Sequence, residues 1–365
     1  MTKENTLEIY VTNPEQSVME AVAAELDAKL ERHVSDSDMH ELIFSVAEVR
    51  EIELKEPIED EEPFMKAAQL VLDFRNGKGR NEIKATELTP RARAALDKVV
   101  KKEKMKENTK PAVKKAYFGL LPGAAGKIPR IRQDYLVELI ETGEAETDIL
   151  ALIGSERPID MEPNAEGLTE LDRARSAGFS KNGVQAKTEF DLLRNTATHK
   201  FDIKDEEWDL LEGQDGRVPG GEGFQQNWRI AYAKTPDGKH IFVTSAAMIS
   251  EDRYRPDGKP RTQSNTTDGF MMVTEMLSKD DPDALRHALV VTDAISVPFQ
   301  GADASAALAP FGFTVETVGY SRDHAGLPDW PRGSAYYLQE VLSTLRRTRA
   351  GRDYLARKVE QAKAA

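Results

Sequence analysis

The sequence predicts an α/β protein. Its C-terminal half reads as a doubly wound, mostly parallel sheet, preceded by a smaller α/β domain. Three observations lead there. TDILALIG (Thr147 to Gly154) and HALVVTDA (His287 to Ala294) are continuous apolar runs of strand length, the pattern of strands buried on both faces, and FTVETVGYS (Phe313 to Ser321) reads as a third strand. Helical segments stand between them, and strands joined through a helix pair in parallel. The chain has 365 residues and is 39% hydrophobic, which suffices for sizeable cores in about two domains.

Taken in order, LEIYVT (Leu7 to Thr12) reads as a short strand. Asn13, Pro14 and Glu15 open a helix through Leu30: a cap, a first-position proline and a first-turn acid. LIFSVAEVREIEL (Leu42 to Leu54) is strand-like at its start, and PFMKAAQLVLDF (Pro63 to Phe74) is a helix. RNGKGRNE is a turn or exposed loop. Thr89 caps the helix TPRARAALDKVV with Pro90 behind it, and Gly143 ends the helix QDYLVELIETG. After the Thr147 strand come a helix over Thr188 to Phe201 and two strands around a Pro-Asp-Gly turn in NWRIAYAKTPDGKHIFVTSAAM. Helices follow over Thr266 to Ser278 and over Gln300 to Gly312, the second closed by Gly312. A long helix from Ser334 ends the chain.

Charge divides the chain further. Residues 1–97 carry net -10, residues 98–132 carry net +9, and residues 133–365 carry net -12, giving -13 overall. This sets expected boundaries: an acidic α/β domain over 1–97, a basic helical linker over 98–145, and the main α/β domain over 146–365. The lysine run reads as a solvated helix face, with an anionic partner at 98–132 as the alternative. It lacks interleaved aromatics, so nucleic acid is not an expected partner. With no cysteine, the chain has no disulfide scaffold and no thiol nucleophile. No apolar run reaches the roughly 20 residues a bilayer needs, and MTKENTLEIY lacks a signal-peptide core, so a cytoplasmic protein without a membrane partner is expected.

In a doubly wound sheet, ligands sit beyond the carboxyl ends of the strands. The segments there are Gly154-Ser155-Glu156-Arg157-Pro158, the polar loop ending in Ser264-Asn265-Thr266-Thr267-Asp268, the stretch Ile295 to Gln300, and Tyr320 to His324. They collect hydroxyls, arginines and carboxylates, which suit a phosphate. Ser264 to Asp268 reads equally well as a capping cluster for the helix it precedes.

These motifs resemble the SanA/YdcF-type domain over roughly Thr147 to Ser321. That family has a strand ending in a Leu-Gly turn, a Ser-Glu pair opening a helix, a Ser/Asn-Thr-x-Glu-Asn motif, and a Val-Thr-Ser strand end followed by His and Arg. The counterparts here are Ile153-Gly154, Thr188-Glu189, Asn265 to Gly269, and Val291-Thr292-Asp293 with Ser296-Val297-Pro298. Asp268 and Gly269 stand in place of the family's Glu-Asn, and Ser296 and Gln300 occupy the loop where it has His and Arg. The resemblance implies a Rossmann-like fold with a ligand rim. The N-terminal third is similar, more weakly, to inosine triphosphate pyrophosphatase-like enzymes through LEIYVTNPEQ, EPIEDEEPFMKAA and GLLPG (Gly119 to Gly123). Gln16 stands where those enzymes carry a phosphate-binding lysine.

The expected function is therefore binding of a phosphorylated small molecule such as a nucleotide, with hydrolysis or group transfer at phosphate as the reaction class. Glu189, Asp268 and Asp293 are the candidate acid/base groups. Gly154, Arg157, Asn265, Thr266, Thr292, Ser296 and Gln300 are the candidate ligand contacts. No dedicated metal-ligand set is expected. Magnesium is the one cofactor considered, since it needs only one or two carboxylates beside ligand phosphates. The acidic run Glu59 to Glu62 reads as solvated surface, with a weak magnesium site as the alternative. The alternative function is a non-enzymatic interaction or sensing module on a degraded enzyme fold. His33, Asp36, Asp38 and His40 read as surface, VPGGEG (Val218 to Gly223) as a flexible loop, and Trp208, Trp228, Tyr336 and Tyr337 as packed residues.

Overall fold

The computed structural model describes residues 16–54, 58–75, 83, 85–162, 167–176, 186–214, 227–249, 261, 264–278, 286–328 and 333–364. The expected strand Leu7 to Thr12, the cap at Asn13, the loop Val218 to Gly223 and most of RNGKGRNE lie outside these residues. The chain divides into two compact units. One comprises Lys110–Val291 with Phe313–Glu316. The other comprises Asn13–Thr109, Thr292–Gly312 and Thr317–Ala365.

Among the described residues, seven strands form one sheet: β1 (Phe118–Pro122), β2 (Ile149–Gly154), β3 (Asp209–Gln214), β4 (Asn227–Lys234), β5 (His240–Ser245), β6 (His287–Asp293) and β7 (Thr314–Tyr320), in the order β3-β4-β5-β2-β1-β6-β7. β1 pairs in parallel with β2 and β6, and β2 with β5; β4 runs antiparallel to both β3 and β5. The α/β class and the mostly parallel sheet agree with the sequence reading. The apolar runs of β2 and β6 are buried, every residue of β6 and all of β2 after Ile149, while β1 is buried throughout as well and β7 only over its last three residues.

Two helices flank the end of β2 on opposite faces. Gly154 receives α7 (Glu189–Lys200): a Cβ there would lie 2.6 Å from Leu193 Cδ1. Its neighbour Ile153 receives α8 (Thr266–Ser278), whose Gly269 sits where a Cβ would lie 2.1 Å from Ile153 Cγ2. Consecutive strand residues point to opposite faces, so the sheet is wound on both sides. Helix α5 (Ile128–Glu141) packs Leu136 against Gly119 of β1, and the short helix α6 (Glu170–Ser176) precedes α7 in the chain.

The second unit, taken by itself, is helical over most of its described residues. It holds α1 (Gln16–Ser35), α2 (Ser37–Val49), α3 (Glu61–Leu72), α4 (Pro90–Lys102), α9 (Val297–Leu308) and α10 (Ser334–Ala364). One apolar cluster joins Leu42, Ile43 and Val46 to Phe64, Val71, Leu96, Val99, Leu338 and Leu342, and a second joins Met19 and Leu26 to Ala306, Leu355 and Val359.

Several expectations change here. Leu42 to Val49, expected as the start of a strand, is helical. Asp36 caps α2 by accepting from Asp38 N, and Met39, Leu42, Ile43 and Val46 are buried at helical spacing. The described residues of 16–97 are helical or irregular rather than α/β. The segment 98–145 holds β1 and α5 rather than a helical linker alone. His33 is buried instead of exposed: its Nε2 lies 2.9 Å from Glu103 Oε1. Burial would raise the Glu103 carboxyl, but the His33 hydrogen bond and Lys29 hold it below its ordinary value. The exposed amino groups of Lys98 and Lys102 pair with Asp36 and Asp38. Thr89, Gly143 and Gly312 occupy the expected helix ends, with Thr89 Oγ1 accepting from Ala92 N and both glycines at positive φ. The four packed aromatics are buried as expected.

Candidate functional site

The loop after β2 and the start of α7 build a charged cluster in the Lys110–Val291 unit. Thr188 caps α7 in a reciprocal box: its Oγ1 accepts from Asp191 N, and Asp191 Oδ2 accepts from Thr188 N. That leaves Glu189, at the first helical position, without a capping role. Its backbone N–H donates to Arg157 O (2.9 Å), and that of Phe190 to Ser155 O (3.1 Å). The first-turn amides of α7 are therefore all committed within the protein, and this helix start offers no amide pocket for a phosphate.

The Glu189 side chain is buried. Its Oε2 accepts from Ser155 Oγ (2.6 Å), and Arg157 Nη2 lies 3.9 Å from Oε1. Gly123, the residue after β1, makes room for it, since a Cβ there would lie 2.7 Å from both Glu189 Oε1 and Ile153 O. Arg132 holds this corner from α5, donating to Pro122 O and Gly123 O (3.1 Å to the latter). Burial pushes the Glu189 carboxyl above the ordinary carboxylate range, against the pull of Arg157 and the Ser155 hydrogen bond.

Arg157 itself is occupied. It donates from both Nη atoms to the buried carboxylate of Glu170 (3.0 and 2.8 Å), which raises the guanidinium pKa. Beside it, Arg229 on β4 forks onto Glu156 (2.8 and 2.7 Å), reaches Asp191 (3.2 Å), and stacks over the Phe190 ring at 4.2 Å. Ser245 is level with both Gly154 and Arg229 in the sheet register. Its hydroxyl is fully buried and finds no hydrogen-bond partner among the described residues.

The start of α8 is built differently. Asn265 Oδ1 accepts from Asp268 N (3.0 Å), and Asp268 Oδ2 accepts from Asn265 N (2.8 Å). The same carboxylate oxygen accepts from Arg261 Nη1 (2.9 Å), and Asp268 is fully buried. Thr267 Oγ1, in the first turn, is buried and has no partner among the described residues.

Of the predicted residues, the structure gathers Gly154, Arg157 and Glu189 in one cluster, and Asn265, Thr266 and Asp268 in another on the opposite face of β2. Thr292, Asp293, Ser296 and Gln300 belong to the other unit. There Thr292 Oγ1 donates to Asp293 Oδ1 (3.0 Å), Ser296 ends a short 3-10 turn, and Gln300 lies in the first turn of α9. All four are buried.

Sequence reasoning missed Glu170, Arg132, Arg229 and Gly123. Ser155 and Glu156 lie in the loop after β2 that the sequence singles out, and Gly123 shows in the sequence only as the end of GLLPG. Among the described residues, no group of three or more His, Asp or Glu is placed to hold a metal ion, and no helix is long and apolar enough to cross a membrane. Glu189 and Asp268 each face an arginine, an environment that disfavours a cation. Compared with known proteins, the chain matches no family model, no curated protein and no solved structure.

Proposed function

We propose that the Lys110–Val291 unit binds a phosphorylated small molecule of nucleotide type over the carboxyl end of β2, in the cytoplasm, with Glu189 as its proton-handling group. The observation that carries this reading is the buried Glu189 carboxyl, held above the ordinary carboxylate range where neighbouring parallel strands end. A carboxyl of that kind serves as a general acid toward a leaving oxygen, so the reaction class is hydrolysis or group transfer at phosphate. The Asn265–Asp268 turn, with Thr266 and the buried Thr267 hydroxyl, supplies the neutral polar contacts. The motif order shared with SanA/YdcF-type domains supports the same placement. Magnesium enters, in this reading, with the ligand's phosphates.

One observation favours the alternative, a non-enzymatic interaction or sensing module: Arg157, Arg229 and Arg261 are all paired with carboxylates, and the α7 amides are taken. A thermal-shift screen with nucleotides and nucleotide sugars, with and without Mg²⁺, separates the two. A ligand of the folded state must raise the melting temperature by mass action. The proposal expects such a shift, with turnover lost in Glu189→Gln and the shift retained. No shift with any ligand would hand the protein to the interaction reading.

A further inference from the structure

The sheet ends in an exposed strand with a defined chemical character. Among the described residues, β3 is the first strand in the sheet order and pairs with β4 alone. Every residue of it is exposed except the partly exposed Gly213. Leu210 and Leu211 are 48% and 52% exposed, and being consecutive they point to opposite faces of the sheet. An outer strand presents a row of backbone N–H and C=O groups to an incoming strand unless something blunts it, and proteins usually keep such an edge short, bulged or free of apolar side chains. Here an apolar residue stands open on each face.

On the Leu211 face, apolar surface continues inward. The register sets Asp209 opposite Tyr232 and Leu211 opposite Ile230 on β4. The Tyr232 ring stacks on His240 (5.8 Å) and lies 4.9 Å from the Phe242 ring, and all three are half-buried. Aromatic surface of this kind beside an open strand edge suits an added strand.

Charge selects the partner. Between Lys204 and Gln214 the chain carries five carboxylates against one lysine. Asp209 and Glu212 lie on β3 itself, one on each face, and both are exposed. Of the cations on β4, Arg229 is already held by Glu156 and Asp191, which leaves Lys234. A second copy of the chain would set these carboxylates against each other, and like charges facing across strands are destabilising. We propose that the β3 edge accepts a basic, extended peptide segment of a partner protein as an additional strand. Its lysines or arginines would meet Asp209 and Glu212, and its apolar residues would lie beside Leu210 and Leu211.

The test uses the full chain and a short acetylated peptide of repeating Lys-Val-Val-Lys. The controls are the same peptide with Glu for Lys and one with a central proline. Calorimetry is expected to show binding of the basic peptide only, weakened by salt. Amide hydrogen exchange is expected to slow over Asp209–Gln214. The double variant Asp209→Lys/Glu212→Lys, at exposed sites and checked by its melting curve, is expected to bind about tenfold or more weakly. Equal binding of the acidic peptide, unchanged binding by the variant, no binding at all, or protection elsewhere would overturn the proposal. So would a dimer in sedimentation that the double variant dissolves, since that would make the occupant a second copy.

Discussion

Helices α7 and α8 begin with the same capping arrangement and build on it differently. Each starts at a polar cap, Thr188 or Asn265, and each carries an aspartate three residues on, Asp191 or Asp268, that closes a reciprocal box with the cap. In α8 that aspartate is the only first-turn acid, and it is fully buried against Arg261. In α7 a second acid, Glu189, stands at the first position. The cap does not need it, and it is buried against Ser155 instead. Glu189 and Asp268 looked equivalent as candidate acid/base residues. Their counterparts in position are Asp191 and Asp268, and Glu189 has none. A carboxyl that caps a helix explains itself; Glu189 is buried beyond the cap with its proton held more tightly, and on that difference the proposed chemistry rests.

The largest effect that could break this contrast is expected at Asp268. Asp268→Ala removes a cap and a buried partner of Arg261 together, and breaking such a pair costs about 3–5 kcal/mol. Asp191→Ala removes a cap while Arg229 keeps Glu156, and is expected to cost about 1–2 kcal/mol. Urea denaturation of the two variants measures the difference; equal losses would show that the two starts are energetically alike. Next comes Gly123→Ala. Its Cβ would meet a backbone carbonyl and the Glu189 carboxyl at 2.7 Å, so overpacking of about 1–3 kcal/mol is expected. An alanine tolerated there would mean that Glu189 has room to move.

The residues of this contrast were legible in the sequence, but their pairings were not. Thr188 with Asp191 and Asn265 with Asp268 share the spacing of a capping box, which is local and can be read. Glu170 with Arg157, and Arg229 with Glu156, meet only because strands and loops distant in sequence are brought together. The same holds for the fold. β2 and β6 announce themselves as apolar runs. β1 is five residues with a glycine and a terminal proline inside the most basic part of the chain, so its charge surroundings hid it. The run Leu42 to Val46 is as apolar as a strand. What decides for a helix is the cap at Asp36 and the long-range packing of one face onto α3 and α4.

The smallest expected effect bears on the proton of Glu189. Glu189→Gln keeps the shape and can still accept from Ser155, so at acid pH the variant should match the wild type within about 1 kcal/mol. The two should then separate as pH rises. Unfolded, Glu189 releases its proton near the ordinary value of 4.5; folded, burial keeps the proton on to higher pH. Between those points the folded state binds more protons than the unfolded one, so wild-type stability falls with rising pH and then stays at a constant deficit. The glutamine variant has no such step. His287 works with the opposite sign: burial lowers its pKa despite Glu316, so stability is lost as pH falls below its ordinary 6.5, but it does so in both proteins and cancels in the difference. Thermal melts of both proteins from acid to neutral pH therefore isolate Glu189. A gap that widens with pH in favour of the glutamine variant identifies a carboxyl kept protonated by the fold. Parallel curves would place Glu189 beside Asp268, as a residue with a structural task.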